Sequence, residues 1–255
     1  MEKEFENFEE TNRSFEQSFD VKEDAPYLIV RLDGKGFSKF TKENYAKPFD
    51  YNFLEQMIKT TKYLMSNSGY DVIAAYTQSD EISLVIKGGE KLPYQGKTRK
   101  LLSILAGMAS AVFTKESGHL AVFDARYRTA NTLEEIVDYV NWRSSDSIRN
   151  CLNNYCYWGL LKCGYSVKET NRMLKGISAE ERKKILFEKV HKNWEEIPKV
   201  EKNGALFNYG INRTTGHNPI TNEDVPTVRK VINKTVDREY FEVILTTAYK
   251  NAEKE

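Results

Sequence analysis

The strongest constraint on the fold is a pair of β-rich runs, Val72-Ile-Ala-Ala-Tyr-Thr77 and Ile82-Ser-Leu-Val-Ile86, separated only by Gln78-Ser-Asp-Glu81. Four polar residues are too few for a crossover connection, so the runs predict an antiparallel hairpin, closed by Gly88-Gly89. An earlier apolar run, Tyr27-Leu-Ile-Val-Arg-Leu32, stops at Asp33-Gly34-Lys35-Gly36, and Leu120 to Arg126 predicts a further strand. Tyr51 to Ser66 reads as a helix with Phe53, Met57 and Leu64 near one face. Leu101, Leu105, Met108 and Val112 recur at spacings of four, three and four, which marks a second amphipathic helix. The order strand, helix, hairpin, helix, strand is a split β-α-β unit of the ferredoxin-like kind, placing the chain in the α+β class.

Beyond that unit, Leu133 to Lys162 and Val167 to Lys192 read as largely helical. Asn203-Gly204 and Arg213 to Asn218 read as turns, and Tyr240 to Thr247 as a final strand. No repeat or Gly/Ser linker divides the 255 residues, so the expectation is one domain. It comprises a core at about 20–130 and a helical, C-terminal annex at about 131–255. The opening MEKEFENFEE is acidic and lacks an apolar segment, and no apolar run is long enough to span a bilayer. A cytoplasmic protein without membrane association is expected. Cys151, Cys156 and Cys163 make no C-x-x-C pair and His119, His191 and His217 are scattered, so zinc spacing is absent. The cysteines read as reduced thiols on a buried helix.

Lys and Arg number 38 against 37 Asp and Glu, a formal net charge of +1. That balance excludes a protein that holds nucleic acid by bulk field alone and requires local basic patches instead. Such patches exist at Lys97-Thr-Arg-Lys100, Arg126 and Arg149. Cations at a helix start oppose the helix dipole, a penalty that a bound triphosphate would reverse. Tyr139, Trp142, Tyr155, Tyr157 and Trp158 could stack on bases, but at helical spacing they read first as core.

The chemistry concentrates in carboxylates at the ends of two β-elements. First and third strands of a split β-α-β unit are sheet neighbours, which can bring Asp33 and Asp80 to one edge. Two carboxylates so placed repel unless a cation lies between them, and hard oxygen ligands suit Mg²⁺ completed by water and phosphate. Gly34 and Gly36 allow backbone N–H groups of Asp33 to Ser38 to form a nest for an anion. Alone, Asp-Gly is also an ordinary turn. A nucleotide cyclase could use the same carboxylate pair, and a non-catalytic RNA-binding sheet is a second alternative.

Together these segments resemble the tRNA-histidine guanylyltransferase family, enzymes that add nucleotides in the 3′-to-5′ direction. The resemblance rests on Arg31-Leu-Asp-Gly-Lys-Gly-Phe-Ser38 and Tyr76-Thr-Gln-Ser-Asp-Glu-Ile-Ser83, supported by Arg99-Lys100, Phe123-Asp-Ala-Arg126 and Asp146 to Trp158. It implies a palm-like core and two Mg²⁺ ions held by Asp33, the Gly34 carbonyl and Asp80. It also implies nucleotide contacts from Asp33, Gly34, Lys35, Gly36, Phe37, Ser38, Ser79 and Asp80. Lys100 would join Asp33 and Asp80 in catalysis by meeting a triphosphate, and Glu81 would support the metal shell without being a ligand. Contacts to tRNA or nucleotide are implied at Lys97, Arg99, Arg126, Arg149, Asn153 and Asn154. The implied substrates are tRNA with ATP, GTP or other nucleoside triphosphates, and the implied assembly is a homotetramer.

One position departs from the family pattern: Ile148 stands where enzymes dedicated to histidine tRNA carry a histidine after the aspartate matching Asp146. This favours the bacterial and archaeal-type branch, which repairs truncated tRNA 5′ ends against a template strand. Guanosine addition to histidine tRNA is the alternative.

Overall fold

A computed structural model describes Thr11, residues 25–89 and residues 92–253 of the chain. The acidic N-terminal run and the expected start of the core near residue 20 lie outside these residues. Strand β1 (Tyr27–Gly34) leads through α1 (Phe37–Asn44) and α2 (Tyr51–Asn67) into the hairpin β2 (Val72–Gln78) and β3 (Glu81–Lys87). Helix α3 (Thr98–Ser117) and β4 (Phe123–Ala130) complete the expected split unit. Helices α4 (Leu133–Lys162), α5 (Val167–Leu174), α6 (Ala179–Val190) and the short α7 (Lys199–Asn203) follow. The hairpin β5 (Ala205–Asn218) and β6 (Glu223–Thr235) then leads to α8 (Phe241–Ala252).

Among the described residues six strands form one sheet in the order β4-β1-β3-β2-β5-β6, antiparallel throughout. Its first four strands have the ferredoxin-like order; β5 and β6 extend the sheet past β2, so the annex contributes strands as well as helices.

Period-two alternation assigns the two faces. Leu28, Val30 and Leu32 of β1, with Ile82, Leu84 and Ile86 of β3, pack against Met57 and Leu64 of α2 and Leu105 and Phe113 of α3. Tyr27 and Ile29 point the other way, onto Ile136, Tyr139 and Trp142 of α4 and Phe241 and Leu245 of α8. Both faces are therefore covered, and Tyr139 and Trp142 serve the core. Tyr155 joins Cys151, Cys156 and Leu186 in a third cluster between α4 and α6, while Cys163 lies exposed just past the end of α4.

Caps set the helix boundaries. Asp50 accepts hydrogen bonds from the amides of Asn52 and Phe53 at the start of α2, and Thr132 accepts from Glu135 at the start of α4. Val167 to Lys192 is two helices, because Gly176 has φ 72° and the Ser178/Glu181 capping box restarts the chain as α6.

Two expectations are corrected. Tyr240 to Thr247 is not a strand: Tyr240 is the N-cap of α8 and Phe241 to Thr247 its first turns, since β-branched residues suit either state but burying Phe241, Leu245, Ala248 and Ala252 against the sheet requires helical spacing. Arg213 to Asn218 is strand, and the turn falls at residues 219–222. Among the described residues no helix is long and apolar enough to cross a membrane.

Candidate active site

The β1–β3 register sets Asp33 opposite Glu81, and β1–β4 sets Asp33 opposite Asp124. Asp80 sits in the two-residue turn between β2 and β3, where Ser79 has φ 48°, the positive value that tight hairpin turns require. The amide of Gly34 donates to the carbonyl of Asp80 at 3.1 Å, tying this turn to the end of β1. Burial pushes the Asp80 carboxyl up to about 6, helped by the negative charge of Asp33. Burial also raises Asp33, with Glu81 and Asp124 adding to it. Two half-buried carboxylates in mutual repulsion fit a divalent cation, and their partial exposure leaves room for water and phosphate oxygens. Among the described residues no group of three or more His, Cys, Asp or Glu side chains could hold a metal, so an ion here would depend on those further oxygens.

The glycine turn is narrower as an anion site than its sequence suggests. The amide of Gly34 is taken by Asp80, and that of Lys35 donates to the carbonyl of Val122 at 2.8 Å. Among the described residues no acceptor takes the amides of Gly36, Phe37 and Ser38, which open α1; Gly36 has φ 72° and forms its N-cap. A Cβ at Gly34 would lie 2.4 Å from the Phe37 ring. That ring is buried among Phe40, Phe113 and Phe123, so Phe37 can meet a ligand through its backbone only.

Glu81 lies on the same sheet face as Asp33, the face that α4 covers, and is held there from α4. Arg143 of α4 donates from Nε and Nη2 to its two carboxylate oxygens at 2.7 and 2.6 Å, and both residues are buried. Arg143 also reaches Asp146 at 3.0 Å, which in turn accepts from Arg149 and Asn150. This chain shares a recess with Arg31, Asp33 and Trp142.

A second recess opens on the other side of the Ser79 turn. It is lined by Lys47, Asp50, Gln78, Asn150, Asn154 and Glu201, among others. The half-buried Lys47 donates to Thr41 and lies near Asp80 and Asp50, whose charges offset a downward shift caused by burial. Sequence reasoning missed Lys47 and Arg143. The spacing of Arg143, Asp146 and Arg149 on one face of α4 was a usable signal for the second, while nothing local marked Lys47.

Other expected residues divide by location. Arg126 pairs with Asp124 at 3.3 Å and its charge lowers Asp33, which places it at the site. Asn154 lines the second recess, and both Asn153, half-buried, and Asn154, exposed, border a further recess with Tyr157 and Arg182. Lys97, Arg99 and Lys100 are elsewhere. The C-terminal half of α3 adjoins the catalytic edge, since Ser110 Oγ accepts from the amide of Phe123. Thr98 lies twelve residues earlier, roughly 18 Å back along the helix axis. Lys100 therefore sits toward the opposite end of the sheet, its Nζ 4.8 Å from the Tyr94 ring.

Comparison with known proteins matches this arrangement in both halves. Residues 9–131 fit the family model for tRNAHis guanylyltransferase, and residues 134–246 fit that for the Thg1 C terminal domain. The tRNA(His) guanylyltransferase of Candida glabrata is 33% identical over 194 residues, covering 71% of this chain and 81% of that protein. The crystal structure of the Saccharomyces cerevisiae tRNA(His) guanylyltransferase superposes with a TM-score of 0.66 at 31% identity, covering 76% of this chain and 90% of the other. A bacterial Thg1-like protein solved in complex with ATP gives a TM-score of 0.66 at 25% identity, covering 94% and 98%. With a palm-like sheet, paired carboxylates and both family models in register along its length, the chain belongs to the tRNAHis guanylyltransferase (Thg1) family of 3′-to-5′ nucleotidyltransferases.

Proposed function

We propose that this chain adds guanosine to the 5′ end of a tRNA, histidine tRNA foremost. The observation that carries the reading is the meeting of Asp33 and Asp80 at one sheet edge beside the open amides of Gly36 to Ser38. The yeast relatives named tRNA(His) guanylyltransferase support the choice of tRNA. In the family's chemistry a 5′-monophosphate is first adenylylated by ATP. The 3′-hydroxyl of the incoming nucleotide then attacks the activated phosphorus. A new P–O bond forms to that hydroxyl, the anhydride bond breaks, AMP leaves and the hydroxyl proton passes to solvent. A 5′-triphosphorylated end needs no activation.

Asp33, Asp80 and the Gly34 carbonyl would hold two Mg²⁺ ions, which when bound favour ionisation of the attacking hydroxyl and offset charge on the triphosphate. The amides opening α1 and the ammonium of Lys47 orient phosphate oxygens, and the recess beyond Ser79 accommodates a nucleoside. Arg143 neutralises Glu81, leaving Asp33 and Asp80 as the carboxylates that face the ligand. Such transfer depends on positioning and electrostatics more than on covalent participation by the protein.

Template-directed repair of truncated 5′ ends is the second reading, favoured by Ile148 on α4 in place of the family histidine. One experiment separates the two: monophosphorylated tRNAs with ATP, Mg²⁺ and each nucleotide in turn. Guanosine addition to histidine tRNA regardless of the opposing base supports the first. Growth following complementarity on any truncated tRNA supports the second, and cyclisation without RNA overturns both. A homotetramer is proposed with this activity, and light scattering at four chain masses checks it.

A further inference from the structure

The second recess is walled by parts of the chain that lie far apart in sequence. Lys47 and Asp50, in the loop between α1 and α2, form one wall, and Asn150, Asn154 and Tyr155 of α4 form the other. Glu201 of α7 also lines it and is only 7% exposed. Its Oε1 accepts from the Tyr51 hydroxyl at 2.8 Å, and its Oε2 accepts from the Tyr155 hydroxyl. One buried carboxylate thereby joins the first residue of α2 to α4. Burial, and then the bond to Glu201, raises both phenols above their ordinary range, so each remains a donor at neutral pH. Packing does little to hold the Tyr51 side of this link. Tyr51 is 58% exposed, with the Phe49 ring edge-on and its centroid 5.2 Å away. At the far end of α4, Lys162 donates to the carbonyl of Lys47. The loop carrying Lys47 and Asp50 is therefore strapped to α4 by hydrogen bonds, at Glu201 and again at Lys162.

We propose that Glu201 is a positioning residue: by tying Tyr51 to Tyr155 it sets the width of the second recess and so the affinity for the nucleotide that enters it. Resting on the nucleotidyl-transfer reading above, this role acts on binding and leaves the carboxylates at the sheet edge untouched. Asp50 caps α2 immediately before Tyr51, so a shift of Tyr51 carries the cap and the neighbouring Lys47 with it. A wall that stands open part of the time weakens the apparent affinity in proportion to the fraction closed. Losing one hydrogen bond shifts such an equilibrium roughly 3–10-fold. Direct reading of a base by Glu201 is the competing role, but each of its oxygens already accepts from a phenol, which favours the linking role.

The test is Tyr51→Phe, which deletes one hydroxyl, titrated with ATP and with GTP in the absence of RNA. Both affinities should fall roughly 3–10-fold. In tRNA addition the KM for nucleotide should rise to match while kcat holds. Glu201→Ala should lose more affinity than Tyr51→Phe. Glu201→Gln should stay near wild type, because an amide accepts from one phenol and donates to the other. Unchanged nucleotide affinity in Tyr51→Phe overturns the proposal, and this variant decides alone where Glu201→Ala does not fold. A fall in kcat with KM unmoved also overturns it. So does a Glu201→Gln variant that loses GTP but keeps ATP, which makes Glu201 a base contact. Nucleotidyl transfer by the wild type on tRNA is measured alongside. Transfer by the wild type with unmoved affinity in Tyr51→Phe defeats the strap alone, whereas weakened nucleotide binding in Tyr51→Phe without any wild-type transfer upholds the strap and defeats the tRNA-addition reading.

Discussion

The two ends of the sheet differ in how they carry charge. At the β2–β3 turn, Asp33, Asp80, Glu81 and Asp124 crowd together, and Arg143 of α4 pairs with Glu81 on the same sheet face as Asp33. At the opposite end, Lys97, Arg99 and Lys100 stand exposed at the start of α3, and β5–β6, with Arg213, Arg229, Lys230 and Lys234 exposed along it, departs from the same end. Charges in water are cheap to hold, while partly buried like charges store repulsion that a ligand of opposite sign can release. The difference teaches that the acidic end is built around an expected cation, whereas the basic end holds its charges in water at little cost.

If that contrast holds, the most damaging single change lies on α4, at the acidic end itself. Arg143→Ala strands the buried Glu81 carboxylate and is expected to cost about 3–5 kcal/mol of stability, read by urea unfolding. Pairing it with Glu81→Gln should recover much of the loss. A cost near zero for the single variant would mean that the ion pair contributes nothing at this edge.

Next come the carboxylates themselves. Asp33→Ala or Asp80→Ala is expected to lower nucleotidyl transfer by roughly 10²–10³-fold or more, the scale of removing one charge-stabilising group, without unfolding the chain. Transfer at wild-type rates would refute their assigned role. A pH experiment sharpens the same point. The folded carboxyl of Asp80 titrates at about 6 against an ordinary value of 3.8, so the folded state holds the proton more tightly than the unfolded one. Stability from this group is therefore complete below pH 4 and falls as pH rises through about 6, by at most roughly 3 kcal/mol. In the presence of a chelator, Asp80→Asn should be more stable than wild type at pH 8 and level with it near pH 4. Equal stabilities at both pH values would show that Asp80 is not strained by its surroundings.

Much of this was legible before any coordinates. Asp33 and Asp80 bound apolar runs that read as strands of a split unit, whose topology can bring them to one edge, and the strand register and the Gly34–Asp80 hydrogen bond place them there. Signals requiring distant partners were not legible. Glu81 has the same local context as Asp80, and only the packing of α4 distinguishes the paired acid from the open one. Tyr240 to Thr247 has strand composition, and its helix is set by the sheet face it covers. Lys100 reads as a phosphate ligand by its position at a helix start, yet the length of α3 carries it away from the carboxylates.

Lys100 also provides the smallest expected effect. Its ammonium is exposed and, among the described residues, lies over the Tyr94 ring, itself on the surface. Exposed cation–π contacts contribute about 0.5–1 kcal/mol, and removing a cation from a helix start gives a few tenths back through the dipole. Lys100→Ala should thus shift the urea midpoint by less than about 1 kcal/mol equivalent, well below the effect of Arg143→Ala. Measured side by side, the two substitutions remove one positive charge from opposite ends of the same sheet. A Lys100→Ala loss as large as that of Arg143→Ala would mean that Lys100 has a buried partner, and the contrast between the two ends would fail.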